Sequence, residues 1–195
     1  NPEKQIALVK QLNKKYKGKV NYTYINKPGK GHGVIHAWEN SKADIMSYMD
    51  VDLATDLGSF KTLLDNIQQG NDIAVGSRYL KTSKIKRTFK RIFISKTYIT
   101  YFYRFILGLP LTDAQCGFKA VNKKVVKNVL PYIQDRVWFW ESEMLYLAYK
   151  RNYKIKEVSI RWTEDLNSSV NLVKIIPNFM KNVLRLRFSR LPWKR

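Results

Sequence analysis

Short apolar strand patterns alternate with helical patterns along this chain, and that alternation predicts an α/β fold with a mostly parallel central sheet flanked by helices. Residues 3–16 set Ile6, Leu8, Val9 and Leu12 at helical spacing, and Gly18 supplies a stop. Residues 20–25 alternate Val20, Tyr22 and Tyr24 with Asn21 and Thr23, which predicts a strand. A loop over 26–33 leads to a helix over 34–41 and a buried strand over 43–49. A helix over 58–69 ends at Gly70, and a strand over 72–75 runs into Gly76-Ser77-Arg78. A long aromatic helix over 87–107 is closed by Gly108 and Pro110. Then come a strand over 118–121, helices over 123–130 and 139–151, and a last strand over 155–160.

Two carboxylates, Asp50 and Asp52, stand where the strand over 43–49 ends. In open α/β sheets ligands bind at the carboxyl ends of the strands. Paired hard oxygens there suit Mg²⁺ or Mn²⁺ carrying a diphosphate, although an acidic loop has the same sequence. The surroundings favour anions. Lys and Arg number 36 against 15 Asp and Glu, a formal charge of +21, which implies nucleic acid, anionic lipid or a phosphorylated substrate. Residues 80–112 include Lys81, Lys84, Lys86, Arg87, Lys90, Arg91, Lys96 and Arg104 without a single acid. The 195 residues suit one domain, and no apolar run approaches the ~20 residues of a membrane span. The chain begins with Asn1 rather than Met, as expected of a fragment or a processed chain.

Further motifs lie in the loops. Lys30-Gly31-His32-Gly33 is a basic, glycine-rich entry to a helix whose amides could receive phosphate, and a plain turn fits it equally. His32 and His36 share a helix face without a third ligand nearby, which favours capping and packing. Arg78 follows a strand as Asp50 does, and Arg91 with Ser95 presents a guanidinium and a hydroxyl at i, i+4. The turn 113–119 gathers Asp113, Gln115, Cys116 and Gly117; the only cysteine has no histidine near it, which argues against a thiol enzyme. Glu141 and Glu143 at a helix start read most simply as complements to the helix dipole. From 171 onward Leu172, Ile175, Ile176, Phe179, Met180, Val183, Leu184 and Leu186 recur at three- and four-residue steps among basic residues. Pro177 kinks this segment or begins its helix.

In this order, the blocks Lys30 to Gly33, Met49 to Asp52, Gly76 to Arg78, Arg91 to Ser95, Asp113 to Lys119, Trp140 to Leu145 and Ile160 to Trp162 resemble the family 2 inverting glycosyltransferases. The nearest likeness is to the polyprenyl-phosphate sugar synthases that make dolichyl-phosphate mannose and glucose. The resemblance implies a GT-A-like, Rossmann-like domain over 1–170, lacking the family's opening strands, and a basic amphipathic membrane-proximal segment over 171–195. The family's Pro-x-Tyr/Phe-Asn-Glu and Asp-Asp-Gly-Ser motifs are not in this sequence.

The resemblance further implies that Asp50 and Asp52 hold the metal, Mg²⁺ or Mn²⁺, on a nucleotide-sugar donor. Arg78, Arg91 and Ser95 would bind phosphate, including that of a lipid-phosphate acceptor, with Lys30, Gly31 and Trp162 also lining the substrate site. Asp113 and Gln115 would border the reacting sugar, with Glu143 nearby. The expected reaction moves a hexose from UDP-glucose or GDP-mannose to a polyprenyl phosphate at the cytoplasmic face of a membrane. The enzyme would be peripheral or anchored by segments outside this chain, with membrane contact through the C-terminal segment. A family 2 enzyme acting on a glycan hydroxyl is the alternative, and it would need a general base. A nucleic-acid-binding module is the competing class, but no nucleic acid motif is apparent and strand-end acids would repel phosphate unless a metal intervened.

Overall fold

The computed structural model describes residues 2–86, 96–97, 100–164 and 172–190. Helix α1 (Pro2–Lys15) precedes α2 (Lys30–Glu39), β1 (Ile45–Met49), α3 (Phe60–Gln68), β2 (Ile73–Ser77) and β3 (Lys84–Lys86). A π-helical stretch, Thr100–Ile106, is followed by β4 (Phe118–Asn122), α4 (Lys123–Asn128), α5 (Trp140–Lys150), β5 (Ile155–Ser159), β6 (Arg161–Thr163) and α6 (Leu172–Phe188). The class is α/β, as expected.

The main sheet has the order β1-β4-β2-β5. β2 and β5 pair in parallel, whereas β4 is antiparallel to both β1 and β2. Three strands therefore run one way and β4 alone runs against them, so the sheet is mixed. A small parallel sheet pairs β3 with β6, placing Ile85 opposite Trp162.

Both faces of the main sheet are covered, most completely at β2, whose five residues are all buried. Side chains alternate between faces along each strand. Met46, Ile73 and Val121 join the larger core, with Ile35, Trp38, Trp140 and Met144 from α2 and α5. Ala74, Phe118, Ala120 and Val158 join the smaller core, with Leu63 and Ile67 of α3. Lys119 shares parity with Val121, so it faces α5 although it is fully buried. Helix α5 itself is buried from Trp140 through Ala148, a helix enclosed on all sides. Asn122 caps α4 by accepting the Val125 amide at 3.1 Å.

Several expectations change. Residues 20–25 form no strand: they pair with no sheet edge, and Tyr22 and Tyr24 are exposed. Alternation suits a strand but does not provide its hydrogen-bonding partner. The helix expected over 34–41 starts earlier, at Lys30. Of the helix expected over 87–107, part lies outside the described residues, and its end is π-helical before Gly108 at φ 64°. Pro177 lies inside α6 rather than starting it.

Helix α6 is part of the core. Phe179, Val183 and Leu186 are buried, Phe179 meets the Phe139 ring edge-on at 5.2 Å, and Arg185 pairs with Glu143 at 2.9 Å. A second stripe, Met180, Leu184 and Phe188, is exposed at i, i+4 and i+8. No helix among the described residues is long and apolar enough to cross a membrane. If α6 is docked as described, Phe179→Ala lowers unfolding free energy by about 3–5 kcal/mol in urea titrations. Leu184→Ala, on the outer stripe, stays within about 0.5 kcal/mol of the parent.

Candidate active site

The reversed direction of β4 assembles the site. β1 and β2 end at one edge of the sheet, and the segment entering β4 arrives at that same edge. Asp50 directly follows β1 and donates its amide to Gly117 O at 3.0 Å. A Cβ on Gly117 would stand 1.9 Å from Asp50 Oδ2, so this carboxylate lies against bare backbone. Arg78 directly follows β2 and meets Asp113 from the same incoming segment.

Lys30, the first residue of α2, reaches Asp50 Oδ1 at 2.7 Å and Glu141 Oε1 at 2.9 Å. Glu141 Oε2 is 2.5 Å from the ammonium of Lys119, which also donates to the Cys116 carbonyl. Four alternating charges thus run Asp50–Lys30–Glu141–Lys119, from surface to core. The Lys30 ammonium also lies 4.9 Å from the centre of the Tyr48 ring, which packs between Trp38 and Trp140. Burial pushes the Glu141 carboxyl up, but Lys119 and Lys30 outweigh it and hold the carboxyl below its ordinary range. Burial likewise opposes the charge on Lys30, and Glu141 and Asp50 overcome it, so its pKa is raised.

The glycine loop contributes the Lys30 ammonium, and two of its amides are turned to the backbone. Gly31 N and His32 N donate to the carbonyls of Val137 and Arg136 at 3.1 and 2.8 Å, so these amides are already engaged. Gly31 is needed for close approach: a Cβ there would come within 2.7 Å of both Arg136 O and the Trp140 ring.

Arg78 and Asp113 form the second unit. Arg78 Nε and Nη2 fork onto Asp113 Oδ2 and Oδ1 at 2.7 and 3.0 Å, and Arg78 N adds a third bond at 3.1 Å. Gln115 N donates to Oδ1 at 3.1 Å, so both oxygens of this fully buried carboxylate accept two bonds. Burial pushes Asp113 up, and the Arg78 charge and hydrogen bonds reverse this to a value below the carboxylate range. Glu157 Oε1 anchors the turn by accepting from Thr112 N, Thr112 Oγ1 and Asp113 N at 2.9, 2.6 and 3.0 Å. The Arg78 guanidinium also lies 5.5 Å from the centre of the Trp162 ring. Gln115 Nε2 donates to Tyr103 and Ser142 at 3.2 and 3.3 Å. Burial pushes the Cys116 thiol up to about 12, which keeps it protonated.

Asp50, Lys30, Gly31, Arg78, Asp113, Gln115 and Trp162 are therefore brought to one region. Asp52 is exposed beside it and accepts the Ala54 amide at 3.0 Å. Glu143 is directed elsewhere, to Arg185 of α6 and to the Asp135 amide at 2.9 Å. Arg91 and Ser95 lie outside the described residues. Glu141 and Lys119 pair across 22 positions, too far apart for a local motif to join them. The available signal was a lysine inside the apolar strand Phe118-Lys119-Ala120-Val121, which demands a buried acid.

Among the described residues no three His, Cys, Asp or Glu side chains converge on a point that could hold a metal. Asp50 and Asp52 offer hard carboxylate oxygens on a short spacer. That set fits Mg²⁺ or Mn²⁺, which take few protein ligands and complete their shell with water and phosphate.

Residues 4–130 match the family model described as Glycosyl transferase family 2. Among curated proteins, the chain is 32% identical over 158 residues to glycosyltransferase AglD of Haloferax volcanii, covering 80% of this chain and 25% of that protein. It is 30% identical over 171 residues to a dolichyl-phosphate beta-glucosyltransferase of Dictyostelium discoideum, covering 84% and 52% respectively. A polyprenol monophosphomannose synthase of Mycolicibacterium smegmatis is 28% identical over 122 residues, covering 62% and 46%. The chain thus spans from a quarter to about half the length of these relatives. Glucosyl-3-phosphoglycerate synthase of Mycobacterium tuberculosis, solved with uridine diphosphate, shares the fold with a TM-score of 0.57 at 16% identity over 86% of this chain and 57% of that one. The same enzyme solved with Mn²⁺, uridine diphosphate and glucosyl-3-phosphoglycerate gives a TM-score of 0.59 at 14% identity, over 84% and 56%.

The buried charges predict a stability cycle. Glu141→Gln leaves Lys119 buried without its carboxylate and lowers unfolding free energy by about 3–5 kcal/mol at pH 7, whereas adding Lys119→Met recovers most of the loss. Asp113 and Glu141 both have folded pKa values below their unfolded ones. Their stabilisation is therefore complete above about pH 4–5, the unfolded range, and is lost as pH falls through the lower folded values. Urea midpoints measured from pH 7 down to pH 2 fall below about pH 4, and less steeply in the double variant.

Proposed function

The chain belongs to glycosyl transferase family 2, and on that footing we propose that the intact protein transfers a hexose from a nucleotide diphospho-sugar to the phosphate of a polyprenyl lipid at a membrane surface. UDP-glucose and GDP-mannose are the donors to test. The observation that carries this reading is the placement of Asp50, directly after β1 and 2.7 Å from Lys30, at the sheet edge where Arg78 is fixed by Asp113. Relatives named for dolichyl-phosphate glucosylation and polyprenol monophosphomannose synthesis support it.

The chemistry follows from charge. A phosphate monoester has its second pKa near ~6, so a lipid phosphate is already a nucleophile at neutral pH. The protein has to hold two anionic partners together and stabilise the departing diphosphate. Lys30 and Arg78 supply cations for this. A divalent cation held by Asp50 and Asp52 would neutralise charge developing on the leaving diphosphate. Asp113 keeps Arg78 oriented; with both oxygens engaged and its pKa depressed, it is ill suited to take a proton. That favours a phosphate acceptor over a glycan hydroxyl, which would require a base.

Membrane contact is supported by the outer stripe of α6. Met180, Leu184 and Phe188 are exposed, with Lys181, Arg187 and Arg190 exposed among and beyond them. Apolar side chains interspersed with cations suit a helix lying against anionic headgroups.

The test incubates intact protein with radiolabelled donor and polyprenyl phosphate in anionic vesicles. Lipid-linked sugar forms from one of the two donors, and chelation of divalent metal stops it. Asp50→Ala and Asp52→Ala each reduce turnover about a hundredfold or more; metal-independent transfer retained by either variant would sink the assignment. In the same vesicles, Leu184→Glu with Phe188→Glu reduces co-sedimentation, and unchanged binding removes α6 from the membrane contact.

A further inference from the structure

Lys30 touches two carboxylates of opposite character. Asp50 is 43% exposed and stands at the sheet edge, whereas Glu141 is 6% exposed and is held from behind by Lys119. An ammonium on a four-carbon stem can leave the first acid while keeping the second. We propose that Lys30 is a built-in stand-in for the divalent cation: it holds the Asp50 carboxylate in place before the donor binds, then cedes it to the metal and turns to the donor's diphosphate, with Glu141 as its fixed post. This rests on the metal-dependent reading above.

Three observations carry the idea. First, the Lys30 ammonium sits 2.7 Å from Asp50 Oδ1, where a hard cation would bind that oxygen. Second, departure from Asp50 strands no buried charge, because Glu141 remains 2.9 Å away and the Tyr48 ring lies beneath the ammonium. Third, the exchange preserves local neutrality. The side chains alternate in sign as Asp50, Lys30, Glu141 and Lys119, and an incoming diphospho-diester carries one negative charge per phosphorus, matched by the divalent cation. In a chain of net charge +21, a carboxylate without such a partner would attract whichever cation lay nearest. Lys30 therefore performs two successive tasks. It opposes the metal at Asp50 when no donor is present and favours the diphosphate once the metal is there.

These tasks make Lys30→Met move two affinities in opposite directions, which a merely structural lysine does not do. Mn²⁺ binding to the intact protein is measured by electron paramagnetic resonance of the free ion, without nucleotide. UDP and GDP binding is measured calorimetrically with Mn²⁺ present. In Lys30→Met, Mn²⁺ binds about tenfold more tightly, and the nucleoside diphosphate that binds the parent binds about tenfold more weakly. Glu141 still has Lys119 in this variant, so the melting temperature stays near that of the parent; if Met at 30 impairs folding, Lys30→Gln gives the same readout. Mn²⁺ affinity in the variant equal to or below the parent's overturns the stand-in role. Asp50→Asn separates the two levels. If it abolishes Mn²⁺ binding while Lys30→Met fails to tighten it, only the stand-in falls; if it leaves Mn²⁺ binding intact, the metal assignment falls as well.

Discussion

Lys119 stands on the helix-facing side of a central strand, fully buried, where water cannot reach its ammonium. Burying an unpaired charge costs several kcal/mol, so the fold has to deliver a carboxylate to that point. Glu141 is delivered by the first turn of α5, which fixes how that helix sits on the sheet. Trp140, one residue earlier, then lies against Gly31, and the carbonyls of Arg136 and Val137 engage the start of α2. Lys30 is thereby brought to Asp50. One buried pair thus connects the central strand, the enclosed helix and the exposed carboxylate at the sheet edge.

The second organising feature is strand direction. With β4 parallel to its neighbours, residues 113–117 would enter at the opposite edge of the sheet, far from Asp50 and Arg78. Reversal carries Asp113 to Arg78 and Gly117 to Asp50, and the anchor from Glu157 on β5 holds the turn in that place. Ligand crevices in open α/β sheets normally lie at strand ends. Here the beginning of a strand supplies half of the candidate site.

Much of this was legible in the residues. The segments 43–49, 72–75, 118–121 and 155–160 correspond to the four strands of the main sheet; β2 is buried on both faces, whereas β5 carries Lys156 and Glu157 and is only partly covered. Asp50 stands out because a carboxylate ends one of them. Strand direction was not legible, since a period of two reads the same either way. The alternation at 20–25 carried no information about a pairing partner. Glu141 and Glu143 looked like dipole complements because their partners, Lys119, Lys30 and Arg185, are distant in sequence and leave no local signature. The apolar periodicity of α6 suits a membrane face and a core alike; the helix carries both a buried stripe and an exposed one. Asp113 stands out in the sequence as a candidate, and the fork from Arg78 shows a carboxylate whose acceptor positions are filled.

The contact between Lys30 and Glu141 joins residues 111 positions apart. Closing so long a loop is entropically unfavourable until the intervening strands have paired, so such contacts form late in folding. The alternating charges at the site therefore come together at the step that completes the core. A chain arrested earlier lacks the lysine at Asp50 as well as the docked helix, so the charge chain of the candidate site arises together with the native state.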